Sequence, residues 1–348
     1  MSPASIHDLA LETLQHIFTY ACSDEGSTGY ALALVSKYFN QAVEPVRLRT
    51  VALYSVAQIE SFAAFLSASA EMPCVHHLFV STWLDGVRVV QTRTGDISRQ
   101  EEDYELYPIG AFEEETNRAN WTTLRKEHNL TLSLFLPRVL EAASTYLRSL
   151  SIVHSWEFDP ITLPTCFPSL QELTVFGPSP WLPEQTVSSP CFPAVRALHI
   201  GCPSVSLAHW VHHTPSITRL RLSELSPYAD SLLEELVVIS STNHSAEVEA
   251  HGVQPLPRLK VIRLQMRDIS RQVLCDAFAF LYNLYAMRIC MTPIRCDHRV
   301  EVLQARRYRP GFWDGRVKRD WFDRIHAGAG CWSAEELEEE DEGASWAV

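Results

Sequence analysis

The sequence predicts an α/β fold, with a short N-terminal helical unit followed by an irregular solenoid whose strands form a parallel sheet. In the first helical unit, apolar residues recur at three- and four-residue steps, which is typical of amphipathic helices. Behind it, one short apolar pattern recurs along the chain and alternates with helix-like stretches. With 348 residues, of which 46% are hydrophobic, the chain is long enough to bury a substantial core.

The N-terminal unit is predicted to contain two main helices. Residues 9–21 form the first, with Asp8 placed to accept a hydrogen bond as its N-cap. A loop rich in turn residues covers 23–29, and residues 31–43 form the second helix, which Pro45 terminates. Helices this short bury too little surface to be stable alone, so they need the rest of the chain or another protein as a partner.

These residues resemble an F-box, the motif that binds the Skp-type adaptor of cullin–RING ubiquitin ligases. The resemblance rests on the strings DLALETLQHIFTY at 8–20 and LALVSKYF at 32–39, followed by Pro45 and Leu48, and it covers about residues 7–50. One position departs from the family, because Ala10 stands where proline is usual. Proline in the first turn of a helix fixes φ in advance, so alanine is expected to cost little in folding but to weaken docking.

The resemblance implies a set of adaptor-binding residues on the N-terminal helices: Leu9, Leu11, Glu12, Leu14, Ile17, Phe18, Leu34, Val35 and Phe39. It also implies a Skp-type adaptor, and through it a cullin, as partners. The alternative interpretation is that residues 9–43 are simply a helical cap on the repeats behind them.

The repeated pattern is apolar-x-x-apolar-x-apolar, and proline precedes several copies, which fixes the backbone just before a short strand. Adjacent copies lie 22–27 residues apart, and two larger gaps are near multiples of that step. The copies are Leu48/Val51/Leu53, Val75/Leu78/Val80, Leu147/Leu150/Ile152, Leu170/Leu173/Val175, Val195/Leu198/Ile200, Ile217/Leu220/Leu222, Leu259/Ile262/Leu264 and Leu284/Met287/Ile289.

This pattern resembles a degenerate leucine-rich repeat, as in F-box proteins of fungi, in which the apolar positions point inward and the x residues line the sheet face. A generic α/β fold with six or seven parallel strands is the alternative. Helix-like stretches with three-to-four spacing lie between the strand patterns, at 58–70, 130–143, 207–213, 228–239 and 271–284.

Two segments interrupt the repeats, and the C-terminal end differs from them. Residues 84–125 are predicted to be an exposed, partly disordered insertion, and residues 177–193 a loop in place of a helix. After the last copy, Trp313, Trp321 and Phe322 are expected to cap the final repeat. The predicted domains are the F-box-like motif at 5–46, the solenoid at 47–294, the C-terminal cap at 295–332 and an acidic, disordered tail at 333–348.

Composition limits the classes of partner and compartment. The net charge of −13 argues against nonspecific nucleic-acid binding, although the tail alone supplies seven of these charges. No apolar run is long enough for a membrane span, and the N-terminus lacks the pattern of a signal peptide. The nine cysteines are scattered without a CxxC pair, so they are expected to be reduced. The expected location is intracellular, in the cytoplasm, the nucleus or both.

The sequence offers no recognisable catalytic or metal-binding motif. His209, His212 and His213, and separately Cys290, Cys296 and His298, lack a fourth ligand at metal-site spacing. Cys74 and His76 fit the start of a strand better than a nucleophile with its base. We therefore expect no active site, cofactor or metal. A hydrolase on an α/β sheet remains a third alternative, which requires a serine or cysteine paired with histidine in a pocket.

Taken with the resemblance, these features predict a substrate-recruiting subunit of a Skp/cullin/F-box ubiquitin ligase. The N-terminal helices would bind the adaptor, and the solenoid would hold an unknown protein target, so that the chain raises local concentration and performs no catalysis of its own. No nucleic acid or membrane is expected as a partner. The second-ranked prediction is a non-enzymatic leucine-rich-repeat scaffold whose N-terminal helices are only a cap.

Overall fold

The structure is a computed structural model, in which eight α-helices, ten strands and one 3-10 helix are described. The described residues are 6, 9–69, 72–82, 87–91, 104–108, 115–155, 158–163, 166–178, 182, 189–201, 207–225, 230–240, 256, 258–267, 299–306 and 312–332. Among them, no helix combines the length and the apolar character that are needed to cross a membrane.

The N-terminal unit contains three helices, α1 (Leu11–Ala21), α2 (Ser27–Val35) and α3 (Lys37–Val43). The single helix predicted over 31–43 is therefore wrong. Ser36 has an extended backbone, and its side chain accepts a hydrogen bond at 3.2 Å from the backbone N–H of Phe39. This cap begins a new helix and changes the direction of the chain.

The first helix begins at Leu11, two residues later than the sequence pattern predicts. Its N-cap is Ala10, whose side chain can accept no hydrogen bond, and Asp8 lies outside the described residues. The unit has its own core, in which the rings of Phe18 and Phe39 lie 5.3 Å apart beside Leu14. This core is separate from the clusters that hold the sheet.

The strands follow the predicted apolar pattern closely. In chain order they are β1 (Thr50–Leu53), β2 (His77–Ser81), β3 (Val87–Gln91), β4 (Tyr104–Pro108), β5 (Ser149–Val153), β6 (Glu172–Phe176), β7 (Ala197–Gly201), β8 (Arg219–Leu225), β9 (Val261–Arg267) and β10 (Arg299–Arg306). Eight of them form one parallel sheet in the order β1-β2-β5-β6-β7-β8-β9-β10, so each strand is added beside its predecessor. The predicted α/β class with a parallel sheet is confirmed.

Equivalent positions of the apolar pattern lie side by side in this sheet. Leu78 pairs with Leu150, Leu150 pairs with Leu173, and the register continues in the same way to Leu198 and Leu220. Since successive side chains of a strand point to opposite faces, this alignment makes one continuous apolar face. That face carries most of the main core of the protein.

Four helices accompany this sheet, α4 (Val56–Ala68), α5 (Glu115–Ala143), α6 (Leu207–His213) and α7 (Asp230–Ser240). Their buried residues belong to the same cluster as the apolar face of the sheet. The helix starts have local causes; for example, the Ser55 hydroxyl accepts a hydrogen bond from the Gln58 N–H at 3.2 Å and caps α4.

The two segments that were predicted to interrupt the repeats are partly described in the structure. Within 84–125, which was predicted to be exposed and partly disordered, β3 and β4 form an antiparallel pair and α5 already begins at Glu115. Within 177–193, the described residues contain no helix, as the prediction of a loop requires. The helix predicted over 271–284 and the last copy of the pattern lie outside the described residues.

The C-terminal region differs from the sequence-based prediction at two points. First, the repeat pattern was expected to end before 295, but β10 extends the parallel sheet beyond β9. Second, helix α8 (Phe312–Ile325) does not cap the end of the array. Its Val317 and Trp321 pack against Phe79, Val153 and Phe176, which lie on the second face of β2, β5 and β6. The side chain of Trp313 lies outside the described residues.

Polar contacts hold this C-terminal segment on the sheet. The guanidinium of Arg324 donates to the Glu172 carboxylate on β6, at 2.8 Å from Nε. After α8, a 3-10 helix (Gly330–Trp332) brings the carbonyl oxygen of Cys331 within reach of the guanidinium groups of Arg221 and Arg263. Both arginines are almost completely buried, so these contacts satisfy donors that would otherwise be costly to bury.

Phe176 shows how closely the second face of the sheet is packed. Phe176 pairs with Gly201 on β7, and its ring occupies the space that a side chain at position 201 would need. A Cβ atom on Gly201 would clash with the Phe176 ring, so glycine is required here by close approach and not by backbone conformation.

Replacing Trp321 with alanine should destabilise the protein by about 3–5 kcal/mol, because the indole fills the space between α8 and the sheet. Trp321→Phe should lose at most about half of that, since it keeps an aromatic ring against Phe79 and removes a buried indole N–H that has no partner among the described residues. Urea unfolding of both variants measures the difference. Equal stability of the alanine variant and the wild type would contradict this packing.

Candidate functional site

The predicted adaptor-binding residues divide into an exposed group and a buried group. Leu9, Ile17, Leu34 and Val35 are 37%, 43%, 70% and 61% exposed. Glu12 is also exposed, and Leu11 is partly buried against the core of the unit. Five of the nine predicted residues thus lie on the surface, either on α1 and α2 or, for Leu9, just before α1.

The buried group consists of Leu14, Phe18 and Phe39, whose side chains are at most 6% exposed. They cannot form a contact surface, because they constitute the core of the three-helix unit. The prediction that they contact an adaptor directly is corrected accordingly, and their role is to hold the exposed residues in place. An amphipathic pattern alone could not separate the two groups, since both recur at helical spacing.

Two tyrosines extend the exposed group and were missed from the sequence. Tyr20 lies three residues after Ile17, and Tyr30 lies four residues before Leu34, so each shares a helix face with a predicted residue. Both are about as exposed as Leu34, at 71% and 70%. We call the full set the N-terminal apolar surface: Leu9, Ile17, Tyr20, Tyr30, Leu34 and Val35.

Local hydrogen bonds fix the backbone beneath this surface. The Tyr38 hydroxyl donates to the carbonyl oxygen of Leu9 at 2.7 Å, which ties the start of α1 to α3. The Asp24 carboxylate accepts from the Thr28 N–H at 2.8 Å and from the Ser27 hydroxyl at 2.7 Å. Burial by itself would raise the pKa of Asp24, but these hydrogen bonds and one from the Gly26 N–H outweigh it and lower the pKa. Asp24 therefore stabilises the first turn of α2 as a charged group.

The structure brings together one pair that the sequence analysis singled out. The Sγ atom of Cys74 lies 3.2 Å from Nε2 of His76. Burial raises the pKa of the Cys74 thiol, although Arg49 and Arg148 act in the opposite direction. Burial, followed by the charges of the same two arginines, lowers the pKa of His76 to about 4. A neutral thiol beside a weak base is the reverse of an activated cysteine.

A serine and a histidine also pair on the second face of the sheet. The Ser149 hydroxyl lies 2.8 Å from Nδ1 of His77, and Ser149 lines a gap between the sheet and α8. Burial lowers the pKa of His77 to about 4, and the neighbouring positive charges act in the same direction. The gap has a volume of only about 20 Å³, which is room for a water molecule. These properties do not favour the hydrolase alternative at this pair.

The histidines considered as metal ligands do not gather around a common point. The rings of His209 and His213 are 5.8 Å apart, and Nδ1 of His213 faces the backbone N–H of Cys191. In the part of the chain that the structure describes, no three His, Cys, Asp or Glu side chains are grouped closely enough to hold a metal ion. The second candidate set, Cys290, Cys296 and His298, lies outside the described residues.

A larger groove lies beside α5, at the loop of residues 159–162. It has a volume of about 350 Å³, and Asp159 is the only charged residue in its lining. Most of the remaining lining is leucine, isoleucine and proline, and Asn129, Ser133 and Thr162 add uncharged polar groups. The lining combines apolar contact with a few polar groups and indicates no particular ligand.

One buried histidine is well satisfied as a neutral ring. His154 accepts at Nδ1 from the Thr82 hydroxyl and donates from Nε2 to the Asp159 carbonyl, both at 2.8 Å. Burial lowers the pKa of His154 to about 4, although the contacts with Asp159 act to raise it. The ring thus joins β5 and its following loop to the end of β2 without carrying charge at neutral pH.

No family model, curated protein or solved structure matches this chain. Its function is therefore inferred from its own residues, and the N-terminal apolar surface is the candidate functional site.

Stability should fall when the pH is lowered, because the pKa of His154 is near 4 in the folded chain and near 6.5 when unfolded. The contribution is complete above about pH 6.5 and is lost as the pH falls toward 4, and at pH 5 the loss amounts to roughly 2 kcal/mol. His154→Gln should reduce the loss of melting temperature between about pH 7.5 and pH 5. The prediction is wrong if this variant shows the wild-type pH dependence.

Proposed function

We propose that the chain is the substrate-recruiting subunit of a Skp/cullin/F-box ubiquitin ligase, which binds the adaptor through its N-terminal helices and a protein target through its repeats. The observation that carries the proposal is the N-terminal apolar surface. Several large apolar side chains exposed on one small helical unit are typical of a protein–protein interface. The unit that presents them is small and has its own core, so the surface belongs to a folded module.

The chemistry of the exposed side chains indicates what kind of partner surface they would bind. Leu34 and Val35 come from the Leu-Val-Ser-Lys stretch, the more specific half of the F-box resemblance, and both are more than half exposed. Nothing within the described chain uses them in a core. A surface of leucine, isoleucine, valine and tyrosine suits a mainly apolar groove on another protein, with the tyrosine hydroxyls reaching its rim.

The departure at Ala10 has little effect on the local backbone. Ala10 has φ −61° and ψ 149°, and proline restricts φ to about −65°. The alanine thus adopts the conformation that the family's proline would impose. Any loss of adaptor affinity from this substitution is expected to come from the missing ring contacts and from the greater freedom of the unfolded chain.

The parallel sheet supports the second half of the proposal. Each unit contributes one strand, neighbouring strands follow chain order, and equivalent leucines pair across the sheet. This is the arrangement expected of leucine-rich repeats, whose long side and edges suit protein recognition. In the proposed mechanism, the repeats hold the target close to the ubiquitin-charged enzyme and raise its local concentration, and bond-making is left to other subunits.

A second candidate function is favoured by two specific contacts. The ammonium group of Lys318 on α8 lies 2.8 Å from the Glu25 carboxylate, and the Ser23 hydroxyl lies 3.2 Å from Nε2 of His326. The N-terminal unit is thus attached to the C-terminal helix, as a cap would be. On this basis the chain would be a non-enzymatic repeat scaffold that uses its N-terminal helices only for its own stability.

The double substitution Ile17→Asp with Leu34→Asp should abolish capture of the adaptor. Two carboxylates in the middle of an apolar interface would have to be buried without partners, so at least about a tenfold loss of captured adaptor is expected. The measurement is co-expression with the Skp-type adaptor followed by affinity capture of the chain. Both positions are exposed, so the melting temperature should change little.

Met72→Asp is the matched control, because Met72 is 60% exposed but lies outside the N-terminal apolar surface. It should capture as much adaptor as the wild type. Leu14 is not suitable for this test, since its side chain is fully buried and an aspartate there would unfold the helical unit. Equal adaptor capture by the double variant and the wild type, or no capture by either, would leave the scaffold as the better explanation.

A further inference from the structure

One residue just before each of seven strands belongs to a single continuous row at one edge of the sheet. From the second residue onward, the backbone N–H of each donates to the carbonyl oxygen of the one before it in the row, at 2.7–2.8 Å. Neighbouring members are therefore spaced like adjacent strands, about 4.8 Å apart. We call this set the edge row: Arg49, His76, Arg148, Gln171, Arg196, Thr218 and Lys260.

The edge row carries only positive charge. Arg49, Arg148, Arg196 and Lys260 are cationic, and no member is acidic. Arg47 lies two residues before Arg49, and Arg258 lies two residues before Lys260. They add positive charge near both ends of the edge row. The chain as a whole has a net charge of −13, so the row differs sharply in sign from the average.

These cationic groups are available to a partner. Arg148, Arg196 and Lys260 are exposed, and Arg49 is partly exposed. Within the described part of the chain, none of the four forms a side-chain hydrogen bond or an ion pair. The arginines on the sheet face behave differently, since Arg221 and Arg263 donate to the carbonyl oxygen of Cys331.

The electrostatic surroundings agree with an unneutralised row. The adjacent row of the sheet contains one carboxylate, Glu172, and Arg324 already engages it. His76 lies between Arg49 and Arg148 in the edge row, and after burial their two charges are the next causes of its lowered pKa. No carboxylate contributes to that shift. Among the described residues, the charges that act on His76 in this row are therefore both positive.

We infer that the edge row is a docking surface for an acidic, extended segment of a partner protein. Arginine guanidinium groups bind carboxylates through two parallel hydrogen bonds, and a row of them suits a line of acidic side chains. The row spans roughly 29 Å, which matches about nine residues of extended chain. A nucleic acid is disfavoured, because the whole-chain charge repels a long polyanion more strongly than a short acidic segment.

This inference stands independently of adaptor binding, because the edge row shares no residue with the N-terminal apolar surface. If the proposed function holds, the acidic segment belongs to the recruited target. If it fails, the row remains a binding surface of a scaffold. The two are separated experimentally by measuring adaptor capture and acidic-peptide binding on the same variants.

The test uses the full-length chain and a fluorescein-labelled peptide of alternating glutamate and serine, followed by fluorescence anisotropy at low ionic strength. Arg148→Glu with Arg196→Glu should weaken peptide binding at least about tenfold, because two attractions become repulsions. The matched control is Arg125→Glu with Lys126→Glu, which makes the same charge change at exposed positions of α5. The control should bind within about twofold of the wild type. Thermal unfolding checks that both variants fold.

The chain's own acidic run at 335–342 begins three residues after Trp332, so it needs a separate control. A full-length variant with its seven carboxylates replaced by amides should bind the peptide at least as tightly as the wild type. Weaker binding by that variant would overturn the inference. So would equal losses in the two double variants, equal binding of a peptide with glutamine in place of glutamate, or tighter binding of a labelled DNA duplex.

Discussion

The arrangement of the whole chain depends on the need to cover both faces of a parallel sheet. Strands in such a sheet are usually buried on both sides. Helices α4 to α7 share the core of the face that bears the repeated leucines. On the other face, Phe79, Val153 and Phe176 form an apolar patch, and α8 covers it with Val317 and Trp321. The C-terminal helix is therefore part of the core and not an appendage at its end.

Covering the second face also decides which surfaces remain for partners. The residues that a leucine-rich repeat would use on its open face lie beneath α8 over β2, β5 and β6, and Arg221 and Arg263 are occupied by the Cys331 carbonyl. On the same helix, the ammonium group of Lys318 pairs with the Glu25 carboxylate and lies 4.2 Å from the centre of the Tyr54 ring. Among the described residues, the N-terminal apolar surface and the cationic side chains of the edge row are two groups that stay exposed.

The sequence predicted the strands well because the repeated pattern specifies which face each residue occupies, and pairing then follows from alignment of equivalent leucines. It failed where the outcome depended on single contacts. Nothing in the periodicity of 31–43 reveals that the Ser36 hydroxyl caps a new helix. The position of α8 could have been suspected, since Phe79 and Phe176 are large apolar residues at positions expected to face outward. The division of the N-terminal residues into core and surface required the packing of three helices.

Net charge was the least informative feature of the sequence, and the register of the sheet explains why. A parallel sheet that grows by one strand per unit converts any residue type that recurs at one position of the pattern into a continuous line. Arg49, Arg148, Arg196 and Lys260 lie far apart in the sequence, yet backbone hydrogen bonds place them in one row. A sum over the chain hides such a row, because seven carboxylates of the tail alone outweigh it. Local alignment therefore determines where the chain can attract a short acidic partner, while the overall charge acts mainly against long polyanions.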